Sequence, residues 1–582
     1  MKVFLFVLAC VLLSATYFHK NYVEKNQITV EAAKQKVFAE KQRYAFSCSP
    51  DLSLIDFTEI SNEIPLLPGW GNYNMPVTTA NDSARIYFEQ GINMYYAFHI
   101  IEALASFDKA VKFDTKFAMG YWGKALAYGP NINDMGYNAS PDALAAAKIA
   151  KELSANCATV EKGLIDAILV RYSPDTTQTR KYLNELYADA MMKLYQQFSN
   201  NADVAALYAD ARMVQHPWDL YDKYGKPKKW TPQIVEILEA LLKLSPDHPG
   251  ACHYYIHAIE GSTHPEKGLE VAARLPGLMP GVAHLVHMPS HIYIRSGYYK
   301  EGVELNEKAV KSYYSYLGNY SPVVNNSVLY LVHNLHMQAT CAGMDGRFAD
   351  AMKISNDCKK SIDSNWMDSG DYIAVYAQYL YMTPYFTLIR FGKWNEILNT
   401  SPVPETRVYA NLIWHYGRGL AYAREHSFEN ANAELELLRA DMQHAQLQEH
   451  PAAFNPGIAG AEVAEKILDG VIAEERGDLE QSITLLKEAV EKEDNMLYNE
   501  PKDWVHPARQ YLGNVLIKVN RYAAAEKVFR EDLEVNPNNG WSLTGMVTAL
   551  VMQGKKRESN AIQQQLKTSF ARSDTKIIAS VF

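Results

Sequence analysis

The residues in this 582-residue chain best equipped for chemistry are its histidines, and they are crowded: eight of the 17 fall between His253 and His336. His253 and His257 stand four apart, and His284, His287 and His291 follow at spacings of three and four. His333 and His336 are three apart. On a helix these spacings place side chains on one face. Neutral imidazole is a ligand for zinc, copper, iron and nickel. The seven residues His253, His257, His284, His287, His291, His333 and His336 are therefore candidate ligands of a transition metal, with copper, zinc or iron as the ion. Met288 and Met337, each following one of these histidines, add copper-friendly thioethers. Glu260 and Glu266 are the nearest carboxylates that could complete the shell or act as a base, and Tyr254 and Tyr293 could hydrogen-bond a ligand. The competing reading is a metal-free polar groove whose imidazoles respond to pH or hold a peptide. His264 precedes Pro265 and reads as a solvated turn residue. No Ser, Cys or Thr nucleophile can be assembled into a triad.

Such a column of imidazoles needs helices in register, and a repeat supplies them. Taking Gly91 as position 8 of a unit of about 34 residues puts Ala103, Phe107 and Ala110 at positions 20, 24 and 27. Gly513 with Ala525, Phe529 and Pro537, and Gly470 with Ser482, Leu486 and Ala489, fall in step, and Gly419 with Ala431 more loosely. The small residues let paired helices approach, and the large apolar one fills the space between them. His253 to His287 and His257 to His291 are each 34 residues, so equivalent positions of successive first helices carry imidazole. The turns Gly297-Tyr298-Tyr299 and Gly346-Arg347-Phe348 correspond across an offset of 49, which sets His333 over His284 and His336 over His287. Neighbouring helices lie about 8–10 Å apart, a gap that two imidazoles span to one ion. Pro289 threatens this geometry, because its ring kinks or restarts a helix. Strand signals are nearly absent. The expected fold is all-α, a superhelical solenoid of antiparallel helix pairs.

This pattern resembles the tetratricopeptide repeat (TPR) superfamily over roughly Asn81 to Leu566. That resemblance implies a concave groove that binds a protein or peptide. Three stretches further resemble a group of exported bacterial TPR proteins without an assigned role. These are Tyr121-Trp122-Gly123 through Gly129-Pro130-Asn131-Ile132-Asn133, His216-Pro217-Trp218-Asp219-Leu220, and His284-Leu285-Val286-His287-Met288-Pro289-Ser290-His291-Ile292-Tyr293. The narrower resemblance implies shared histidine-rich helices and no particular reaction. The segment Gln215–Tyr221 is expected either as a lid or wall of the groove or as a connection capped by Trp218. Gly129–Asn133 reads as a helix stop and turn, since it lacks the lysine of a phosphate loop.

Composition narrows the partners. A net charge of −9 without a long basic run argues against nucleic acid, which needs clustered Lys and Arg. The 38 tyrosines, against 20 phenylalanines, suit a half-wet groove as well as a core. Lys2 followed by the apolar stretch Val3–Phe18 reads as a targeting segment of signal-peptide length. It directs export to a periplasmic or membrane-anchored location, whether cleaved, lipidated at Cys10 or retained as an anchor. Contact with a membrane is expected only through this segment. The six cysteines show no framework spacing. The expected division is 1–20 for the signal or anchor, then 21–80 for a linker and N-terminal extension with a short helix around Val30–Arg43. Helical repeats follow at 81–245, histidine-rich repeats at 246–400 and C-terminal repeats at 401–582. Two functions are consistent with this reading: an exported metal-binding solenoid able to act as an enzyme, and a non-catalytic peptide-binding scaffold.

Overall fold

Asn81 opens the first repeat as the sequence suggests, its side chain accepting the Ala84 backbone N–H at 3.1 Å and so satisfying one of the free donors at a helix start. The computed structural model describes residues 61–133, 140–319, 331–370, 372–452 and 454–582. The targeting segment, Cys10 and the short helix expected around Val30–Arg43 lie outside the described residues. Among the described residues the fold is all-α, with only two isolated β-bridges. No helix among them is long and apolar enough to cross a membrane.

Helices pack as sequential antiparallel pairs in a TPR-like superhelix. Asp82–Tyr96 lies on Ile100–Phe113, Val408–Arg424 on Phe428–Asp441, Gly457–Arg476 on Leu479–Asp494, and Ala508–Lys518 on Tyr522–Val535. The repeat glycines explain how closely they approach. The Phe107 ring is clamped between Gly91 and Gly123, where an added Cβ would sit 2.6 and 2.5 Å from ring carbons. Gly513 and Gly545 clamp Phe529 in the same way, at 2.4 and 2.2 Å. The turns at Gly297 and Gly346 share a left-handed φ of 75° and 74°, which favours glycine at both.

The superhelix then closes on itself. Tyr299 Oη donates to the Pro537 carbonyl at 2.9 Å, and Trp541 Nε1 to the Gly343 carbonyl at 3.1 Å. Asp574 accepts the backbone N–H groups of Phe348 and Ala349 at 2.7 and 2.8 Å, capping the helix Phe348–Lys360 from the far end of the chain. At the other end Trp70 packs against His99 and Tyr316, and Tyr316 donates to Glu102 at 2.6 Å. Residues such as Ile64, Trp70 and Met75, in the stretch read from the sequence as extension, are buried in this packing. Two large apolar cores result, one running from Ile64 to Tyr316 and the other from Ala283 to Val581. They meet at the histidine-rich helices. Cys157, Cys252, Cys341 and Cys358 are free and buried.

Because Phe107 has no slack on either side, Gly123→Ala is expected to destabilise the chain by about 1–3 kcal/mol through overpacking. Urea unfolding measures this, and an unchanged midpoint would contradict the clamp.

Candidate metal centre

The helix Pro249–Ile259 begins where His248 Nδ1 accepts the Ala251 N–H at 3.2 Å, with Pro249 in the first turn. His253 and His257 lie one turn apart on it. The next histidine run is broken by its proline: Ala283–His287 ends, and Pro289 starts a new helix, Pro289–Arg295. His284 meets His253 and His257 of the preceding helix, while His287 and, past the restart at Pro289, His291 meet His333 of the following one. His333 opens the helix His333–Met344.

Two trios form. In the first, ligand atoms of His253, His257 and His284 lie within 4.8 Å of one another. His253 Nε2 is 3.1 Å from His257 Nε2 and 3.2 Å from His284 Nε2. His253 Nδ1 is 2.7 Å from the Tyr96 carbonyl, which can only accept, so Nδ1 carries the proton and Nε2 bears a bare lone pair. One lone pair accepts one hydrogen bond well. Of the two short contacts to His253 Nε2, at most one is therefore a hydrogen bond, and a third nitrogen faces it without a proton between. Two nitrogens each about 2.0–2.1 Å from a shared ion stand about 2.9–3.4 Å apart for angles from square to tetrahedral. The observed separations fall in that range.

The second trio is His287, His291 and His333. His287 Nε2 and His291 Nε2 are 2.9 Å apart, and the His333 ring centroid is 4.6 Å from that of His287 and 5.6 Å from that of His291. Asn306 Nδ2 donates to the Gly302 carbonyl at 2.8 Å, which turns its Oδ1 to accept from His287 Nδ1 at 2.5 Å. Here again Nδ1 holds the proton and Nε2 faces its neighbours.

One carboxylate ties the trios together. Glu260 Oε1 accepts from His257 Nδ1 at 3.0 Å, while Oε2 lies 3.1 Å from His291 Nδ1. Glu500, from the far half of the chain, approaches the same His291 Nδ1 at 3.2 Å and Arg295 Nε at 3.7 Å. Burial opposes the charge on Glu260, but His291 and then His257 outweigh it and hold the carboxyl at about 2. Burial likewise opposes charge on His291, yet Glu260 and Glu500 raise it to about 10. With no ion bound, His291 is thus an imidazolium whose Nε2–H donates to His287. Burial, then the neighbouring imidazoles, push His253, His284 and His333 well below the usual range, and burial and His291 bring His287 to about 3. Low-pKa imidazoles are unprotonated near neutral pH, the form that binds metal.

Both trios open on one chamber of about 90 Å³, where His257 and His284 of the first meet His291 and His333 of the second. Trp218, Phe454, Tyr376 and Tyr379 wall it, and residues 498–501 enter from the C-terminal half. A larger cavity of about 400 Å³ adjoins it and shares Trp218, His257, Glu260 and Tyr498.

Six of the seven histidines singled out in the sequence are in these trios, but not in the expected register. The stacked column sets His284 against His333; in the structure His284 instead joins His253 and His257, and His333 joins His287 and His291. His336 belongs to neither trio, because it sits one turn beyond His333 and lines the chamber on its own. Glu266 is exposed and pairs with the exposed His264 at 3.1 Å, away from the site. Tyr293 is half-buried against Tyr298 at the repeat turn. Tyr254 is fully buried on the core side of its helix, against Tyr96 and Phe98. Met288 lines the chamber and Met337 does not. The Gln215–Tyr221 segment is a wall: Trp218 stands edge-on to His257 at 5.5 Å, and its Nε1 donates to Asn133 at 2.9 Å. Glu500 and Asn306 carry no spacing signal in the sequence, and only the fold brings them to the histidines.

No protein-family description and no curated protein matches the chain. Among solved structures it is similar to the human IFIT1 dimer with m7Gppp-AAAA, at 13% identity and a TM-score of 0.32, covering 91% of this chain and 98% of that one. Yeast Tom70 is similar at 10% identity and a TM-score of 0.26, covering 84% and 93%. The TPR domain of P58(IPK) follows at 12% and 0.21, covering 82% and 99%. None of these likenesses bears on the site.

Replacing Asn306 by Leu removes the shorter acceptor of the His287 Nδ1–H and leaves it Ser290 Oγ at 3.3 Å, so the metal-free chain should lose about 0.5–1.5 kcal/mol of stability. Unchanged urea unfolding would show that this orientation of His287 is wrong.

Proposed function

We propose that this protein is an exported TPR-type protein that binds two transition-metal ions, one in each histidine trio, at a centre able to support catalysis. The observation that carries this is the pair of contacts at His253 Nε2: three imidazole nitrogens converge where hydrogen bonding satisfies at most one of the two short separations. The donor set suits copper, zinc or iron, and the Met288 thioether in the chamber adds to the case for copper. His253, His257 and His284 would hold one ion, and His287, His291 and His333 the other. Three protein ligands leave a position open, as in catalytic rather than structural sites. Bound there, a metal would supply activation of water or dioxygen. The chain's own residues do the rest. The Tyr96 carbonyl, Glu260 and Asn306 fix the tautomers of His253, His257 and His287, and the aromatic walls limit water.

The alternative is a metal-free scaffold holding a peptide or protein in the concave groove, as the TPR resemblance implies. Residues 498–501 line the chamber, whose volume of about 90 Å³ is small for a polypeptide, which favours the metal reading. Export rests on the targeting segment alone.

The test is metal analysis and equilibrium titration of tag-free protein with zinc, copper and iron. About two ions per chain are expected. Glu260→Gln, which disturbs the orientation of one ligand in each trio, should weaken uptake about 10–100-fold. No uptake of any of the three ions would reject the proposal and leave the scaffold.

A further inference from the structure

His336 is the one imidazole of the chamber that neither trio uses. It is 3% exposed and lies one turn from His333 on the helix His333–Met344. Its ring meets Tyr379 edge-on at 5.1 Å and lines the chamber, and no hydrogen bond from a described residue acts on its titration. Burial lowers its pKa to about 3, so it offers one N–H and one lone pair at neutral pH. Buried polar groups are nearly always hydrogen-bonded. A group left open toward a cavity marks where a ligand atom goes.

The surroundings define that ligand. Trp218, Phe454, Tyr376 and Tyr379 supply flat apolar walls, and among the described residues no Lys or Arg lines the chamber. Its charged side chains outside the imidazoles are the carboxylates Glu260 and Glu500, which disfavour an anionic group beside His336. The adjoining cavity of about 400 Å³ gives a ring-sized molecule room to enter past Trp218.

We propose that the chamber binds an uncharged aromatic alcohol of the phenol class, its ring against the aromatic walls and its hydroxyl hydrogen-bonded to His336. This deepens the metal-centre reading by giving that centre a substrate class, but the binding itself needs no metal.

The experiment titrates phenol into the tag-free full chain by calorimetry, in both metal-free and zinc-loaded forms, with benzoate for comparison. Saturable phenol binding is expected, with benzoate at least about tenfold weaker, in keeping with the cost of an unpaired buried charge. His336→Leu should weaken phenol about tenfold while zinc uptake stays unchanged. His336→Gln, which keeps a donor and an acceptor, should stay within about threefold of the wild type, and its helical circular dichroism should match. Should the Leu variant fail to fold, Tyr379→Leu reads the same site and should also weaken phenol. Absent phenol binding, benzoate binding as tightly as phenol, or phenol affinity indifferent to His336→Leu would each overturn the proposal. Loss of a zinc equivalent in His336→Leu would also overturn it, by making His336 a ligand. Phenol binding without any zinc uptake would support this proposal and reject the metal centre.

Discussion

Everything at the centre of this molecule follows from imidazole nitrogens facing one another at hydrogen-bond distance without enough protons to go round. His253 is bound through Nδ1 to a carbonyl that cannot donate, so its Nε2 must accept, yet two further nitrogens crowd it at 3.1 and 3.2 Å. A cation at the point of convergence would turn mutual repulsion into coordination. In the second trio the metal-free chain has a partial substitute: the proton that Glu260 and Glu500 hold on His291. The first trio has no such device, because Glu260 reaches His257 only at Nδ1.

That arrangement needs a scaffold assembled from distant parts of the chain. The trios sit where the two apolar cores meet, on helices that each core contributes. The late repeats return to the middle of the chain through Tyr299, Trp541 and Asp574, and this return brings Glu500 beside His291. An open solenoid would leave the imidazoles wet and the carboxylate elsewhere. Closure buries them, and burial lowers the histidine pKa values while strengthening each charge interaction around Glu260.

Much of the fold was legible because its causes are local. Gly91 and Phe107, or Gly513 and Phe529, announce a helix pair by the space one needs and the other takes. The i,i+4 pairs His253/His257 and His287/His291 were legible for the same reason, as was Asn81 as a cap. The partner of His284 was not. A 34-residue repeat sets His284, His287 and His291 on one continuous face, yet His284 joins one trio and His287 and His291 the other. Glu266 and Tyr293 are near the histidines in sequence alone, whereas Glu500 and Asn306 reach the site through tertiary packing. His336 shares the spacing of a ligand, but it faces the chamber rather than the trio.

The central claim is that each trio is a coordination site. Crystals of the zinc- or copper-loaded protein, measured at the absorption edge of that metal, test it most directly. The account predicts two anomalous peaks, each about 2.0–2.1 Å from three histidine nitrogens of one trio. A single peak among Glu260, His291 and Glu500, or none near the histidines, would contradict it.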